Sequence, residues 1–439
     1  MENSVPDPLF YVLLAVLAIL VLLFSYIGIL YLFRGTPMDR IRVLSDEGAE
    51  PTPVTDDLFC DVMESQTGVE MEPHNTVEVL FNGDGVYPRL FEDLRAAEQL
   101  ITFHVFWYRP GRLAEQLREI LEERARAGVR VLFMHDFFGS HPIDDDYYES
   151  MQQAGVEVVT FRPLRHDTLH KVQQRSHTRT VVIDGRIGYT GGFAIADEWL
   201  GDGRHEDQWR DTSVRILGPS VLHLQSAFVA DWTEACGQLL TGSTLFPRRE
   251  ELHTEGSTYG GLLYTTPSPG STAAERFMAL SIAGSRETLY ITNAYFVPDD
   301  DFRRLLCEAV ERGVDVRVLT PGSNTDKKST WYAARCHYEE LLAGGVRIYE
   351  YRPTMVHAKT LVADAAWCSV GTMNFDNRSF ALNDEVVYMM SDRKVAQVLH
   401  DAFLEDIELA DELELEPFRR RGALERMKER FWVGFSRVL

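Results

Sequence analysis

The sequence predicts an α/β protein made by duplication and preceded by one membrane-spanning helix. Three observations predict it. A long apolar run lies near the N-terminus, strands and helices alternate in an order that recurs in the second half, and one short histidine pattern occurs twice, 180 residues apart.

The apolar run covers residues 9–33, "LFYVLLAVLAILVLLFSYIGILYLF", 25 residues without a charge. A helix of that length crosses the ~30 Å hydrocarbon core with some tilt. The preceding tail, residues 1–8, carries Glu2 and Asp7 and no cation, unlike the basic start of a cleaved signal peptide. Arg34, Arg40 and Arg42 follow the run, which places the rest of the chain on the cytoplasmic side of a cell membrane. Residues 34–75 are polar and read as a linker.

Regular patterning begins near Thr76. "VEVLFNG" reads as a strand, "YPRLFEDLRAAEQ" as an amphipathic helix and "LITFHVFWY" as a buried strand. "GRLAEQLREILEERARAGVRVLFMHD" reads as helix, glycine stop and strand. Such alternation means βαβ units and a mainly parallel sheet. In the second half "ETLYITNAYFVPD" answers "EQLITFHVFWYRP". "FRRLLCEAVERGVDVRVLTPG" answers "LREILEERARAGVRVLFMHDF", and "YEELLAGGVRIYEYRP" answers "YESMQQAGVEVVTFRP". The order repeats, so the halves span residues 76–245 and 263–415, joined by a Pro-, Gly- and Ser/Thr-rich linker at 246–262. The first half carries about ten extra residues near "RHDTLHKVQQ".

Charge and cysteines narrow the function. A net charge of −23 over 439 residues argues against a broad nucleic-acid-binding face. The five scattered cysteines have no metal-ligand spacing and read as reduced thiols, in keeping with a cytoplasmic body. No metal site and no cofactor is expected.

The two histidine segments are "SHTRTVVID" and "VHAKTLVAD". On a strand, residues two apart share a face, so His177 lies beside Arg179 and His357 beside Lys359. Each pair sets an imidazole next to a cation, a spacing suited to holding a phosphate while the imidazole works on its phosphorus. Asp184 and Asp364 end the segments; a turn-forming role and a catalytic one both fit them. Asn374, in the small-residue loop after the second segment, can donate to a phosphate oxygen, and the aligned first-half position is Ala194. Asp211 and Glu385 lie further on, and a carboxylate near each imidazole would fix its tautomer. The segment from Arg419 onward carries net charge +5 with Phe431, Trp432 and Phe435. This basic amphipathic stretch, residues 416–439, reads either as a helix on an anionic membrane or as one packed on the domain. Lys327 and Lys328 read as exposed helix face.

Two such segments at equivalent points of a duplicated chain resemble the paired HxKxxxxD motifs of the phospholipase D superfamily. "NAYFVPD", "GVRIYEYRPTMVHAKTLVAD", "VGTMNFDNRSFALNDE", "YTGGFAIADEWLG" and "WRDTSVRILGPSV" resemble its cardiolipin-synthase-like branch, over roughly residues 76–415 and the anchor. The resemblance implies two α/β halves related by pseudo-two-fold symmetry about one shared central site. It implies a phosphatidyltransferase acting on phospholipid, phosphatidylglycerol for this branch, with hydrolysis as the alternative outcome of the same site. It also implies a phosphohistidine on His177, with His357 as acid and base. Arg179 stands where the family has Lys, and Ala194 where it usually has Asn. Arg keeps the charge and a forked donor set; Ala loses one donor.

Overall fold

The structure is a computed structural model and describes residues 8–32, 40–46, 50–165, 171–268 and 270–437. The tail before Pro8, Arg34 and the centre of the first-half insertion lie outside the described residues.

The apolar run forms one helix, α1 (Pro8–Leu32). None of its span from Leu9 to Ile29 is buried against the rest of the chain. A helix that is apolar on every side and packs on no protein has only lipid to cover it. This helix associates the chain with a membrane.

The first half contributes eight strands: β1 (Glu72–Phe81), β2 (Leu100–Val105), β3 (Arg130–Asp136), β4 (Glu157–Phe161), β5 (Arg175–Ser176), β6 (Thr180–Ile183), β7 (Ile187–Gly191) and β8 (Thr212–Leu217). The second contributes β9 (Thr258–Thr265), β10 (Thr288–Asn293), β11 (Asp315–Pro321), β12 (Arg347–Tyr351), β13 (Lys359–Ala363), β14 (Trp367–Gly371), β15 (Asn383–Ser391) and β16 (Ala410–Glu412). Away from the β1–β9 junction the order runs β1-β8-β7-β6-β2-β3-β4 on one side and β9-β15-β14-β13-β10-β11-β12-β16 on the other. Apart from the edge strand β16, each half repeats the other, and one continuous sheet passes through both.

The sheet is mixed rather than mainly parallel. Parallel pairing joins β2, β3 and β4, and β10, β11 and β12, where helices make the crossovers. The strands carrying the histidine segments run antiparallel to their neighbours. The reason is local: a tight turn of three residues can join only antiparallel strands. Those turns hold Asp184 and Gly185 at φ 52° and 64°, and Asp364 and Ala365 at φ 51° and 44°. Gly185 suits this left-handed backbone and has a second reason to be glycine, because a Cβ there would lie 2.6 Å from the Thr244 carbonyl oxygen.

The structure also shifts the repeat by one residue. Asp184 N–H bonds the Leu100 carbonyl and Asp364 N–H bonds the Thr288 carbonyl, so Leu100 answers Thr288, not Leu289. Trp107 therefore answers Tyr295.

The expected linker over 34–75 is in part a folded layer. A helix at Leu58–Thr67 buries Phe59, Cys60 and Met63 in the core of the second half, where Phe59 meets the Trp367 ring edge-on at 5.1 Å. β1 begins at Glu72, inside that stretch, and β9 begins at Thr258, inside the linker expected at 246–262. Both borders moved because apolar residues among many polar ones were enough to pack.

The halves interlock beside the cleft. β5 pairs with β15 of the other half, Ser176 opposite Asp384, and Arg210 bridges Val356. Two buried ion pairs cross the interface, Arg162 with Asp384 at 2.5 Å and Arg210 with Asp406 at 2.8 Å. Removing one partner of such a pair would strand a buried charge, at about 3–5 kcal/mol.

Candidate active site

The backbone sets the histidines first. His177 N–H donates to the Asp384 carbonyl at 2.9 Å, and His357 N–H donates to the Arg210 carbonyl at 2.7 Å. Each histidine thus hangs on the residue that precedes the other half's acidic residue. Both imidazoles reach one narrow cleft, lined by Phe106, Trp107, His177, Arg179, Trp199, Trp209, Tyr295, Asp326, Lys327 and His357.

The carboxylates are crossed between halves. Glu385 of the second half accepts from Nδ1 of His177 at 3.0 Å, and Asp211 of the first accepts from Nδ1 of His357 at 2.9 Å. This leaves Nε2 of His177 for chemistry, and Nε2 of His357 facing the Lys359 ammonium at 2.9 Å. Asp211 and Glu385, read in the sequence as carboxylates that would fix the tautomers, stand behind the rings and out of the cleft lining, where a substrate would not touch them. Their supports are equivalent in place and different in kind. Trp199 Nε1 donates to Asp211 at 2.8 Å, as does the Thr212 N–H at 2.7 Å. Ser379, at the position of Trp199, donates to Glu385 at 2.8 Å, joined by Thr372 and by Asn383 at 3.2 Å. Gly192 answers Thr372, and a Cβ at Gly192 would collide with the Asp211 carboxylate.

Electrostatics separate the two sites. Burial, then the charges of Arg179 and Lys359, hold His177 well below the usual imidazole range. Burial and the Lys359 charge press His357 down to about 3, against the pull of Asp211. Burial lifts Glu385 to about 7, although Thr372 and Ser379 donate to it. Burial also works to raise Asp211, but His357, Lys359 and Trp199 outweigh it and the net shift is downward. Asp211 is therefore the firmly ionised carboxylate of the two.

The cations differ likewise. Arg179 donates from Nη1 to the His177 carbonyl at 2.7 Å and from Nε to the Phe193 carbonyl at 3.0 Å. Lys359 Nζ bonds the His357 carbonyl and lies 2.9 Å from Nε2 of that ring. Burial brings the Lys359 ammonium down to about 7. Arg179 and Ala194 are neighbours in space, since the carbonyl that Arg179 holds belongs to the residue before Ala194.

Asp184 and Asp364 are not brought to the cleft. They sit at the far strand ends as acceptors for backbone N–H groups: Glu98, Gln99 and Leu100 for Asp184, and Arg286, Glu287 and Thr288 for Asp364. Their place in the expected catalytic set is corrected, because a carboxylate holding three amides at the other end of the strand cannot reach the phosphate. Asn374 is buried beneath the site, its N–H donating to Ser379 at 3.1 Å and its Oδ1 without a partner among the described residues.

Sequence reasoning missed the aromatic wall. Phe106 meets His177 edge-on at 5.1 Å, while Trp199 and Trp209 flank His357 at 5.0 and 5.6 Å. The run "HVFWY" at the end of β2 and the tryptophan in "WRD" were the available signals. Lys327, read as exposed helix face, lines the cleft beside Asp326, which accepts from the Tyr295 hydroxyl at 2.8 Å.

Known proteins with this arrangement come from both sequence and fold. A family model described as cardiolipin synthase, PLD-like domain, matches residues 279–407. The chain is 34% identical over 354 residues to cardiolipin synthase 2 of Bacillus anthracis, covering 80% of this chain and 68% of that protein. It is 36% identical over 354 residues to the cardiolipin synthase of Geobacillus kaustophilus, covering 80% and 70%. In fold it resembles the phosphatidylserine synthase of Haemophilus influenzae Rd KW20, with a TM-score of 0.65 at 14% identity over 87% of this chain and 98% of that one.

Proposed function

The chain belongs to the cardiolipin synthase family of phospholipase D-like phosphatidyltransferases, and we propose that it joins two phosphatidylglycerol molecules into cardiolipin and releases glycerol. The observation that carries the mechanism is the crossed pair of carboxylate-held imidazoles on one cleft.

Nε2 of His177 attacks the phosphorus of the first lipid. The P–O bond to the headgroup glycerol breaks, and His357 delivers a proton to the departing oxygen. A hydroxyl of a second phosphatidylglycerol then gives its proton to His357 and attacks phosphorus, and the P–N bond to His177 breaks. Dividing one hard displacement into two is the gain of covalent catalysis. His177 suits attack because its environment keeps it neutral. His357 suits proton transfer because ionised Asp211 stabilises the imidazolium that forms there. Burial and Lys359 hold His357 neutral; an anionic phosphodiester beside it and Lys359 favours its protonation. Arg179, Lys359 and Lys327 offset the phosphate charge, which grows in the transition state. The aromatic wall excludes water, which favours an alcohol acceptor over hydrolysis.

The cleft is narrow, its aromatic and charged side chains closing on a small space. It suits a headgroup and leaves the acyl chains in the bilayer. The basic residues after α1 favour a body on the cytoplasmic side by the positive-inside rule. The test is incubation of the purified full chain with phosphatidylglycerol, followed by lipid mass spectrometry and a glycerol assay. Cardiolipin and glycerol in equal amounts are expected; phosphatidic acid with glycerol and no cardiolipin would make the protein a hydrolase.

A further inference from the structure

The C-terminal helix, Ala423–Val433, turns its apolar side away from the protein. Its packed side carries Glu429, 1% exposed and bound by Arg421 at 2.8 Å, with Arg335 at 3.7 Å. Its outer side carries Leu424, Met427 and Phe431, exposed by 60%, 61% and 59%. Their spacing of three and four residues stacks them in one stripe. Lys428 and Arg430 border the stripe on either side, and Arg426 lies on the next flank. A helix that covers a soluble core has the opposite arrangement, apolar inward and charged outward.

The C-terminal end of the helix points toward the cleft. The helix runs along Lys328–Ala343, with Lys428 5.4 Å over the Tyr332 ring. That neighbouring helix begins one residue after Lys327, which lines the cleft. Past the C-terminal helix, the Arg437 carbonyl accepts from Asn377 at 2.7 Å, three residues beyond Asn374.

We propose that this stripe is a second membrane contact, which docks the cleft side of the body on an anionic lipid surface. The proposal rests on the phospholipid-transfer reading above and adds the face on which the body meets its substrate. α1 ties the chain to a bilayer, but a single tether does not choose which face of the body approaches it. A body in a chain of net charge −23 is repelled by an anionic surface everywhere except where cations gather. Here cations gather around exposed apolar side chains, the pattern of a helix lying in the headgroup region. With the stripe seated, a headgroup enters the cleft while its acyl chains stay in lipid.

The experiment uses the full chain with the exposed Cys236 changed to Ser. A spin label is placed at Met427→Cys, or for control at the exposed Ala127→Cys, on the turn that leads into the start of β3. Each protein is reconstituted into vesicles rich in phosphatidylglycerol or into pure phosphatidylcholine vesicles. Collisional accessibility to oxygen and to a nickel chelate is then read by electron paramagnetic resonance. The label at 427 is expected to favour oxygen in the anionic vesicles and to move toward water in the zwitterionic ones, while the label at 127 stays in water. A water-exposed label at 427 in both vesicles would overturn the proposal. So would a label shielded from both probes whose spectrum broadens with protein density, which would mark a second copy of the chain on the stripe. In parallel, Met427→Glu with Phe431→Glu should lower turnover of vesicle phosphatidylglycerol roughly tenfold and leave turnover of a soluble short-chain analogue unchanged. Equal losses on both substrates would count against docking. If the unmodified protein turns over neither lipid, the transfer reading fails, while the accessibility measurement still decides the docking.

Discussion

The two halves share strand order, turn geometry and the hydrogen bond that seats each histidine, yet they differ at the residues around the rings. Around His357 stand Asp211, Trp199, Gly192 and Lys359. Around His177 stand Glu385, Ser379, Thr372 and Arg179. The first set has an ionised carboxylate and an ammonium near its titration point at about 7. The second has a carboxyl lifted to about 7 and a guanidinium. Duplication supplied two equivalent positions, and substitution gave one an ionised carboxylate that can steady an imidazolium and the other a carboxyl lifted toward neutrality. The crossing of the carboxylates ties the division of labour to the interface, since neither half holds its own imidazole.

The comparison breaks most visibly at the carboxylates. Asp211→Asn should lower kcat by about 10³–10⁴, as expected when the group that stabilises an imidazolium is lost. Glu385→Gln should cost only about ten- to a hundredfold, because Gln still accepts from Nδ1 and the carboxyl it replaces is already lifted to about 7. Equal losses, measured by radiolabelled lipid turnover, would erase the asymmetry.

The cations come next. Arg179→Ala should cost on the order of a hundredfold in rate, about 3 kcal/mol of transition-state charge stabilisation. Arg179→Lys should restore most of it, with a remaining deficit from the lost Nε contact to Phe193. A fully active Arg179→Ala would mean that the first-half cation is idle.

A smaller effect appears in the pH profile. Lys359 is protonated below about 7 and loses its charge above it. Turnover should therefore fall as pH rises through that value, by roughly tenfold over the next unit or two. Lys359→Arg should remove this alkaline limb, since arginine stays charged. An unchanged limb in that variant would assign the titration elsewhere.

The smallest effect lies in the paired turns. Gly185→Ala should lower the thermal unfolding midpoint, at a cost of about 2 kcal/mol, from the clash with Thr244 and the left-handed backbone. Ala365→Gly should change stability by less than about 1 kcal/mol, because strain relief and added unfolded-state freedom oppose each other.

Much of this could be read in the sequence, for physical reasons. The apolar run, the repeat and the paired histidine segments are local patterns, and local patterns survive in one dimension. The register slip at Leu100 arose because both strands are buried along almost their whole length, so no in-out alternation marks one residue from the next. The sheet was expected mainly parallel because strand–helix alternation was weighed over the turn at Asp184 and Gly185. Asp211 and Glu385 stood out as acids, but their exchange between halves is a fact of tertiary structure that no spacing encodes. Asp184 and Asp364 drew attention as part of a motif, although their work is to hold three backbone amides each. Phe59, Cys60 and Met63 sat within a polar stretch too short to show a period.

The central claim is that His177 takes the covalent phosphatidyl group and His357 moves the protons. Its most direct test is a brief pulse of phosphatidylglycerol, a quench and digest kept away from acid, and mass spectrometry of the two histidine peptides. The account predicts phosphatidyl mass on the peptide containing His177, none on that containing His357, and loss of the adduct in His177→Ala. Phosphatidyl mass on the His357 peptide, persisting in His177→Ala, would contradict it.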